Sequence, residues 1–130
     1  MIYLDSSALV KLVLTEPESR ALRRWLADRA ELALVSSGLH RTEVPRAVWR
    51  TDPSALPRSL RQIRGVEKIA VSTTSLASAS VMPPQTLPSS DAVHLASALS
   101  IRPDLTAFVA YDKRLLGAAR GAGLPTASPA

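Results

Sequence analysis

Four acidic residues stand at points of the chain from which a parallel sheet would bring their side chains together. They are Asp5, Glu43, Asp91 and Asp112. Asp5 and Asp112 each follow an apolar stretch of strand length, and the carboxyl ends of parallel strands share the edge where open α/β sheets bind ligands. At about 4 Å and an effective dielectric constant of about 20, each pair of carboxylates would repel by about 4 kcal/mol. A divalent cation would offset that repulsion, and Mg²⁺ and Mn²⁺ prefer carboxylate oxygens.

The two acids at strand ends also have a structural explanation. Asp5 could cap the helix that follows it, although Ser6 or Ser7 could do so without a charge. Asp112 likewise has the position of a helix cap. The shared edge predicted for the acids, rather than any one of them alone, favours a metal site.

The two acids within helices have structural explanations as well. Glu43 could pair with Arg46 three residues on, a contact worth only about 0.2–0.5 kcal/mol. Asp91 could gain about 0.3–1 kcal/mol from the dipole of the helix that it begins. His94 lies among apolar neighbours, so we expect a packed or hydrogen-bonded helix histidine rather than a general base.

The composition restricts the metal chemistry to oxygen ligands. The chain has no cysteine and only two histidines, which excludes thiolate sites and a histidine-rich zinc centre. The formal net charge is +5, and most basic residues lie between Arg20 and Arg64. A basic surface around an acidic pocket suits a polyanion such as nucleic acid, although arginine-rich helix faces can also serve solubility alone.

Apolar stretches alternate with helical patterns along the chain. Residues 2–4, 32–35, 66–71 and 107–110 are predicted strands, and a short final strand is predicted near residues 125–126. This alternation predicts an α/β fold, with a parallel sheet of four to five strands and helices on both faces. We expect a single domain over residues 1–130, with a flexible tail after about residue 125.

Capping signals predict where several helices begin. Residues 15–18 are a predicted helix start with an early proline and acids in the first turn. Residues 72–74 (STT) are predicted to cap the fifth helix, and Ser89 or Ser90 the sixth. No apolar run reaches the roughly 18–20 residues that a membrane span needs, and no basic segment precedes the first strand, so we expect a cytoplasmic protein.

Four motifs in order resemble those of PIN-domain proteins. Residues 1–12 (MIYLDSSALVKL) are similar to the opening of the family, and residues 41–44 (RTEV), 91–96 (DAVHLA) and 111–115 (YDKRL) resemble its later motifs. The resemblance spans nearly the whole chain. Within the family it is greatest to the VapC-type toxins of bacterial toxin–antitoxin pairs.

The resemblance implies a three-layer α/β/α fold and an endoribonuclease that depends on Mg²⁺ or Mn²⁺. The acidic metal site would then consist of Asp5, Glu43, Asp91 and Asp112. Ser6 would be the hydroxyl beside Asp5, and Lys113 and Arg114 could contact phosphate. Relatives often have a basic residue shortly before the third acid, where this chain has residues 87–90 (LPSS), so Arg114 or another arginine would have to replace it.

The resemblance also implies protein partners. These are a second copy of the chain in a homodimer and a cognate antitoxin, together forming a toxin–antitoxin hetero-oligomer. Apolar side chains of the second and fourth helices are candidates for an antitoxin groove. They are Trp25, Leu26, Leu56 and Leu60.

Two other functions are compatible with the sequence. One is a non-catalytic module that binds RNA or protein on the same fold. The other is a phosphotransfer enzyme with Asp5 as nucleophile. Such enzymes commonly need a second acid two residues on, where this chain has Ser7.

Overall fold

A parallel five-stranded sheet forms the centre of the protein in a computed structural model that describes residues 1–130. The strands lie in the order β3-β2-β1-β4-β5, and every neighbouring pair is parallel. Their bounds are β1 Ile2–Leu4, β2 Leu34–Ser37, β3 Glu67–Ile69, β4 Ala107–Val109 and β5 Thr126–Ala127. The predicted parallel sheet is therefore confirmed, with five strands.

Seven helices connect the strands. They are α1 Ser6–Val13, α2 Ser19–Ala27, α3 His40–Thr51, α4 Leu56–Gln62, α5 Thr73–Ser80, α6 Ser89–Ser100 and α7 Lys113–Gly121. Single 3₁₀ turns occur at Pro53–Ala55, Ile63–Gly65 and Arg102–Asp104. None of the helices combines the length and the apolar character that crossing a membrane requires.

The helices cover both faces of the sheet and create two hydrophobic layers. Alternate side chains of a strand point to opposite faces, so Ile2 and Leu4 face one layer and Tyr3 the other. The layer with Ile2 contains side chains of α1, α2 and α3. The layer with Tyr3 contains side chains of α6 and α7. This is the expected three-layer α/β/α arrangement.

The order of the strands creates a crevice next to β1. The chain moves from β1 to β2 and β3 on one side of the sheet, and then returns to β4 and β5 on the other side. The direction of strand addition thus reverses between β1 and β4. In open α/β sheets such a reversal opens a crevice at the carboxyl ends of the strands, where ligands bind.

Three predicted boundaries were wrong. β3 covers Glu67–Ile69 and is shorter than the predicted residues 66–71. β2 begins and ends two residues later than predicted, because Ser36 and Ser37 continue the strand although they are polar; both are fully buried. The second helix begins at Ser19 rather than within residues 15–18. The Ser19 hydroxyl donates to the Leu14 carbonyl and accepts from the Glu16 amide, and these bonds hold the preceding residues in a turn.

Other local predictions agree with the structure. Ser72 caps α5 in a reciprocal arrangement with Ser75, as the sequence predicts. The sixth helix begins at Ser89, but Pro88 rather than a serine occupies the capping position. The short final strand is present as β5, which pairs with β4. Flexibility of the tail around it stays a prediction.

Candidate active site

The structure places the four acids around the crevice between β1 and β4. Asp5 directly follows β1, and Asp112 follows β4 after two further residues. Glu43 lies in the first turn of α3, and Asp91 in the first turn of α6. These two helices belong to opposite layers of the fold, so the acids reach the sheet edge from both sides.

Asp5 is a buried carboxylate with only 5% of its surface exposed. Its Oδ1 accepts hydrogen bonds from the Ala8 amide at 2.9 Å and from the Ser7 hydroxyl at 2.7 Å. Of the two alternatives left open by the sequence, Asp5 is the cap of α1, and Ser7 donates to its carboxylate rather than capping the helix. Burial raises the pKa of Asp5, these hydrogen bonds oppose the rise, and the charge of Asp91 adds to it.

Asp91 is half-buried, and its charge is destabilised. Burial raises the pKa of Asp91 first of all, and the negative charges of Asp112 and Glu43 raise it further. The positive charge of Arg114 acts in the opposite direction. The carboxylates therefore lie close enough to repel one another, which is the electrostatic signature expected of an acidic site.

The fold favours the charged form of Glu43, in contrast to Asp5 and Asp91. Although burial alone would raise its pKa, hydrogen bonds from His94 and Ser6 hold the pKa of Glu43 below its usual value. The Ser6 hydroxyl donates to Oε1 at 2.8 Å, and His94 Nε2 lies 2.7 Å from the same oxygen. The alternative ion pair between Glu43 and Arg46 is not formed, because the charged contacts of the structure involve only Lys11 and His94.

A buried chain of hydrogen bonds orients the Glu43 carboxylate. The Ser37 amide donates to the Tyr3 hydroxyl at 3.0 Å, and that hydroxyl lies 2.7 Å from His94 Nδ1. Burial raises the pKa of Tyr3 far above its usual range, so the phenol stays protonated and can donate to Nδ1. His94 can then carry its proton on Nε2 and donate to Glu43.

This hydrogen-bond chain was not found in the sequence. His94 is a buried, hydrogen-bonded helix histidine as predicted, but its partner is one of the site acids. Tyr3 and Ser7 were also missed as supports of the site, since Tyr3 reads as an ordinary strand residue. The only available signal was the strand position of Tyr3, two residues before Asp5 and therefore on the same side of the strand.

Asp112 combines an exposed position with a structural role. Its Oδ1 accepts from the backbone amides of Arg114 and Leu115 at 2.9 and 3.0 Å, and it therefore caps α7. Lys113 and Arg114 line a cleft of about 480 Å³ together with residues 82–84 and 86–87. Of this pair, Arg114 is the residue whose positive charge lowers the pKa of Asp91.

The donors suit a hard divalent cation in their chemistry, since the cluster offers carboxylate and hydroxyl oxygens and no sulfur. As the side chains stand, however, no group of three or more Asp, Glu or His side chains is arranged to hold an ion. Asp5, Glu43 and Asp112 each accept hydrogen bonds from nearby donors of the protein. A preformed site of four ligands is therefore not present.

The four side chains expected to line an antitoxin groove lie in one helical layer. Trp25 and Leu26 of α2 are partly buried, and the Arg29 guanidinium lies 4.0 Å from the centre of the Trp25 ring. Leu60 of α4 is 42% exposed. Trp25 lines a cleft with the C-terminal residues of the chain, whereas Leu56 and Leu60 line none of the clefts found. The four residues thus do not share a single groove.

Known proteins with the same sequence features are ribonucleases. The PIN domain family model matches residues 2–121. Ribonuclease VapC47 of Mycobacterium tuberculosis is 41% identical over 132 residues, covering 99% of this chain and 97% of that protein. Ribonuclease VapC35 of the same organism is 40% identical with the same coverage.

Solved structures with a similar fold include toxins of toxin–antitoxin systems. Mycobacterium tuberculosis VapC20, described as a Sarcin-Ricin loop cleaving toxin, has a TM-score of 0.78 at 17% identity and covers 99% of this chain and 100% of its own. VapBC2 from Rickettsia felis, bound to a DNA fragment from their promoter, has a TM-score of 0.72 at 13% identity and covers 100% of both chains. At these identities the likeness concerns the fold.

The chain therefore belongs to the PIN domain family, within the group of the VapC ribonucleases.

Proposed function

We propose that the protein is a metal-dependent endoribonuclease that acts as the toxin of a toxin–antitoxin pair. The observation that carries this proposal is that acids from four separate elements lie near the carboxyl ends of β1 and β4 and interact electrostatically. Burial raises the pKa of Asp5 and of Asp91, the charge of Asp91 adds to the first rise, and the charges of Asp112 and Glu43 add to the second. Near-full-length identity to proteins named as VapC ribonucleases supports RNA as the substrate.

Asp5, Glu43, Asp91 and Asp112 would hold Mg²⁺ or Mn²⁺. A bound cation of this kind supplies Lewis acidity to the phosphodiester and lowers the pKa of an attacking water. Ser6 and His94 orient Glu43 through their hydrogen bonds to Oε1. Asp5 is held by Ser7 and the Ala8 amide, so its position at the end of β1 is fixed by the start of α1.

Positive side chains near the acids would contact the RNA backbone. Arg114 is the better placed of the predicted pair, because its charge already acts on Asp91. Lys113 lines the same cleft and would contribute a second positive charge. Because the proposed substrate is intracellular RNA, the activity would be exerted in the cytoplasm.

The proposed partners are a cognate antitoxin and a second copy of the chain. The similarity in fold to VapBC2 from Rickettsia felis and to FitAB, both solved bound to DNA fragments, supports a cognate antitoxin as a partner. The partly exposed apolar side chains of α2 and α4, around Trp25, Leu26, Leu56 and Leu60, are the proposed contact surface for the antitoxin. Homodimerisation stays a prediction.

The decisive experiment measures cleavage of several structured RNAs by the purified protein. We expect cleavage with Mg²⁺ or Mn²⁺, none in EDTA, and none from Asp91→Asn when its circular dichroism spectrum matches that of the wild type. Wild-type protein that cuts no RNA in either metal, yet binds RNA, would instead indicate the non-catalytic binding module.

The phosphotransfer alternative has less support. Such a reaction would need a second acid two residues after Asp5, but Ser7 occupies this position and donates to the Asp5 carboxylate. Transfer of labelled phosphate from a phosphorylated small molecule to Asp5 would favour the phosphotransfer enzyme over the ribonuclease.

A further inference from the structure

A second cleft opens directly beside Glu43, between the first turns of α1 and the exposed face of α3. Its volume is about 380 Å³. It is lined by Ser6, Ser7, Val10, Thr42, Glu43, Arg46, Ala47 and Arg50. Two site residues, Ser6 of α1 and Glu43 of α3, line this cleft, so it adjoins the candidate site.

Two arginines supply the charge of the cleft. Arg46 and Arg50 are exposed and follow each other by four residues on α3, so they lie on the same face of the helix. Neither forms an ion pair, because all charged contacts in the structure involve Lys11 or His94. Two unpaired guanidinium groups next to a cluster of carboxylates are available to an anionic ligand.

Arg46 and Arg50 lie at increasing distances from Glu43 along α3. At a rise of about 1.5 Å per residue, Arg46 lies roughly 4.5 Å and Arg50 roughly 10.5 Å beyond Glu43 along the helix axis. Arg114 lies in α7, which follows β4, and β4 and the β2 strand before α3 lie on opposite sides of β1; the positive charge of Arg114 acts on Asp91. A polyanion that crosses the acids would therefore meet cationic groups before and after them.

The guanidinium groups of Arg46 and Arg50 are suited to phosphate, the anionic group of a polyanion that crosses the acids. The planar donor fork of arginine binds phosphate oxygens in a bidentate manner. The hydroxyl of Thr42, on the same wall as the arginines, is a further hydrogen-bond donor at the rim of the cleft. The cleft is thus suited to a backbone phosphate rather than to a base edge.

We propose that this cleft binds a backbone phosphate of single-stranded RNA adjacent to the phosphodiester at the acids, with Arg46 and Arg50 as its ligands. The proposal rests on the proposed ribonuclease function. It gives the RNA a path over the site, from α3 across the acids toward α7.

The first test measures binding of a fluorescein-labelled oligouridine in EDTA, where cleavage is blocked. We expect Arg46→Gln and Arg50→Gln each to weaken binding about tenfold, the loss expected when a charge-assisted hydrogen bond is removed. In the double variant the slope of log affinity against log salt should become shallower by about 0.7, the amount expected when one phosphate contact with a single strand is lost. Arg64→Gln, an exposed arginine outside every cleft, is the matched control and should change neither value.

The second test locates the contact on the RNA. A cleavable substrate is prepared with one neutral methylphosphonate linkage at each position in turn around the cleaved bond. At the contacted position the neutral linkage should raise the KM of the wild type but leave the KM of the double variant unchanged, since the partner arginines are already absent.

The outcomes separate the two proposals. Wild-type cleavage with an unchanged KM and RNA affinity in the double variant overturns the phosphate site and leaves the ribonuclease function standing. Absence of cleavage together with selective loss of oligouridine binding in the double variant keeps the phosphate site and refutes the enzyme. If the variants lose affinity for polyglutamate but keep it for oligouridine, the cleft is a site for an acidic peptide and the RNA assignment is wrong.

Discussion

The acids of the site differ in how the fold treats their charge. Asp5 and Asp91 have a raised pKa, so the folded protein disfavours their ionised forms, whereas hydrogen bonds from His94 and Ser6 favour the ionised form of Glu43. Carboxylates kept charged against burial and mutual repulsion reduce stability. Such a cost is typical of residues retained for function rather than for the fold.

Asp91→Asn should stabilise the metal-free protein at pH 7. The folded pKa of Asp91 is raised above its ordinary value of 3.8, so its favourable contribution is present below 3.8 and is lost as pH rises through the folded pKa. The gain should not exceed about 1 kcal/mol, because the half-exposed group is screened by water.

Thermal unfolding in EDTA at several pH values measures this effect. The two proteins should have similar midpoints at low pH and diverge as pH rises. Glu31→Gln, which removes an exposed and unpaired carboxylate, is the control and should show no such divergence. A variant less stable than the wild type at pH 7 would mean that Asp91 contributes favourably to the fold.

Tyr3→Phe should affect both stability and metal affinity. It leaves His94 Nδ1 and the Ser37 amide without their buried partner, at a cost of about 1–3 kcal/mol. Because His94 would then be less well oriented toward Glu43, Mn²⁺ affinity should fall about 10–100-fold, as when a supporting contact of a metal ligand is lost.

Tyr111→Phe is a matched control for this change, since it removes a phenol that donates to the Pro129 carbonyl away from Glu43. Calorimetric titration with Mn²⁺ and urea unfolding provide the two measurements. Equal Mn²⁺ affinities of Tyr3→Phe and the wild type would exclude an orienting role for the hydrogen-bond chain.

Two helices of the fold begin at acids of the site. The Asp5 carboxylate caps α1 and the Asp112 carboxylate caps α7, each by accepting backbone amide hydrogen bonds. An acid at a helix N-terminus also interacts favourably with the helix dipole. The structural explanation weighed for these two residues is therefore confirmed. Their role in a metal site stays a prediction, which substitution can test.

Asp112→Ser and Asp112→Ala should separate the two roles of Asp112. Serine can accept the same amide hydrogen bonds and should keep α7 near wild-type stability, whereas alanine should cost about 1 kcal/mol. Both remove the carboxylate and should abolish RNA cleavage. Urea unfolding and a cleavage assay on the same preparations test this; full activity of the serine variant would remove Asp112 from the site.

The two helical layers of the molecule are in contact at the candidate site. Glu43 is supplied by α3 on one face of the sheet and Asp91 by α6 on the other, while His94 of α6 lies 2.7 Å from Glu43 across the sheet edge. A ligand that binds acids from both layers stabilises only the folded chain. Binding therefore adds to the free energy of unfolding according to its concentration.

Mn²⁺ should raise the unfolding midpoint of the wild type. At a free concentration 100 times the Kd the added stability is about 2.7 kcal/mol. The increment should be much smaller for Asp91→Asn, and it should shrink on acidification because protonated carboxylates do not bind the ion. Thermal scans with MnCl₂ at two pH values measure it; an equal increment in wild type and variant would place the bound ion elsewhere.

Local signals were sufficient for much of the fold. The apolar strand before Asp5, the serine cap of α5 and the alternation of strands and helices all depend on neighbouring residues, and all are present in the structure. β2 was misplaced because Ser36 and Ser37 are polar but buried. Their burial results from contacts with other parts of the sheet, which a local pattern does not contain.

The sequence by itself determined which residue types are available for chemistry and, through the parallel topology, that several of the acids would reach one edge. Only the tertiary structure decided their environments. The link between His94 and Glu43 spans 51 residues of chain, and the raised pKa of Asp91 depends on Asp112 and on burial by the fold. Hydrogen-bond donors that are close in space set the direction in which each carboxylate points. These neighbours are brought together by packing and are not evident from the order of residues in the sequence.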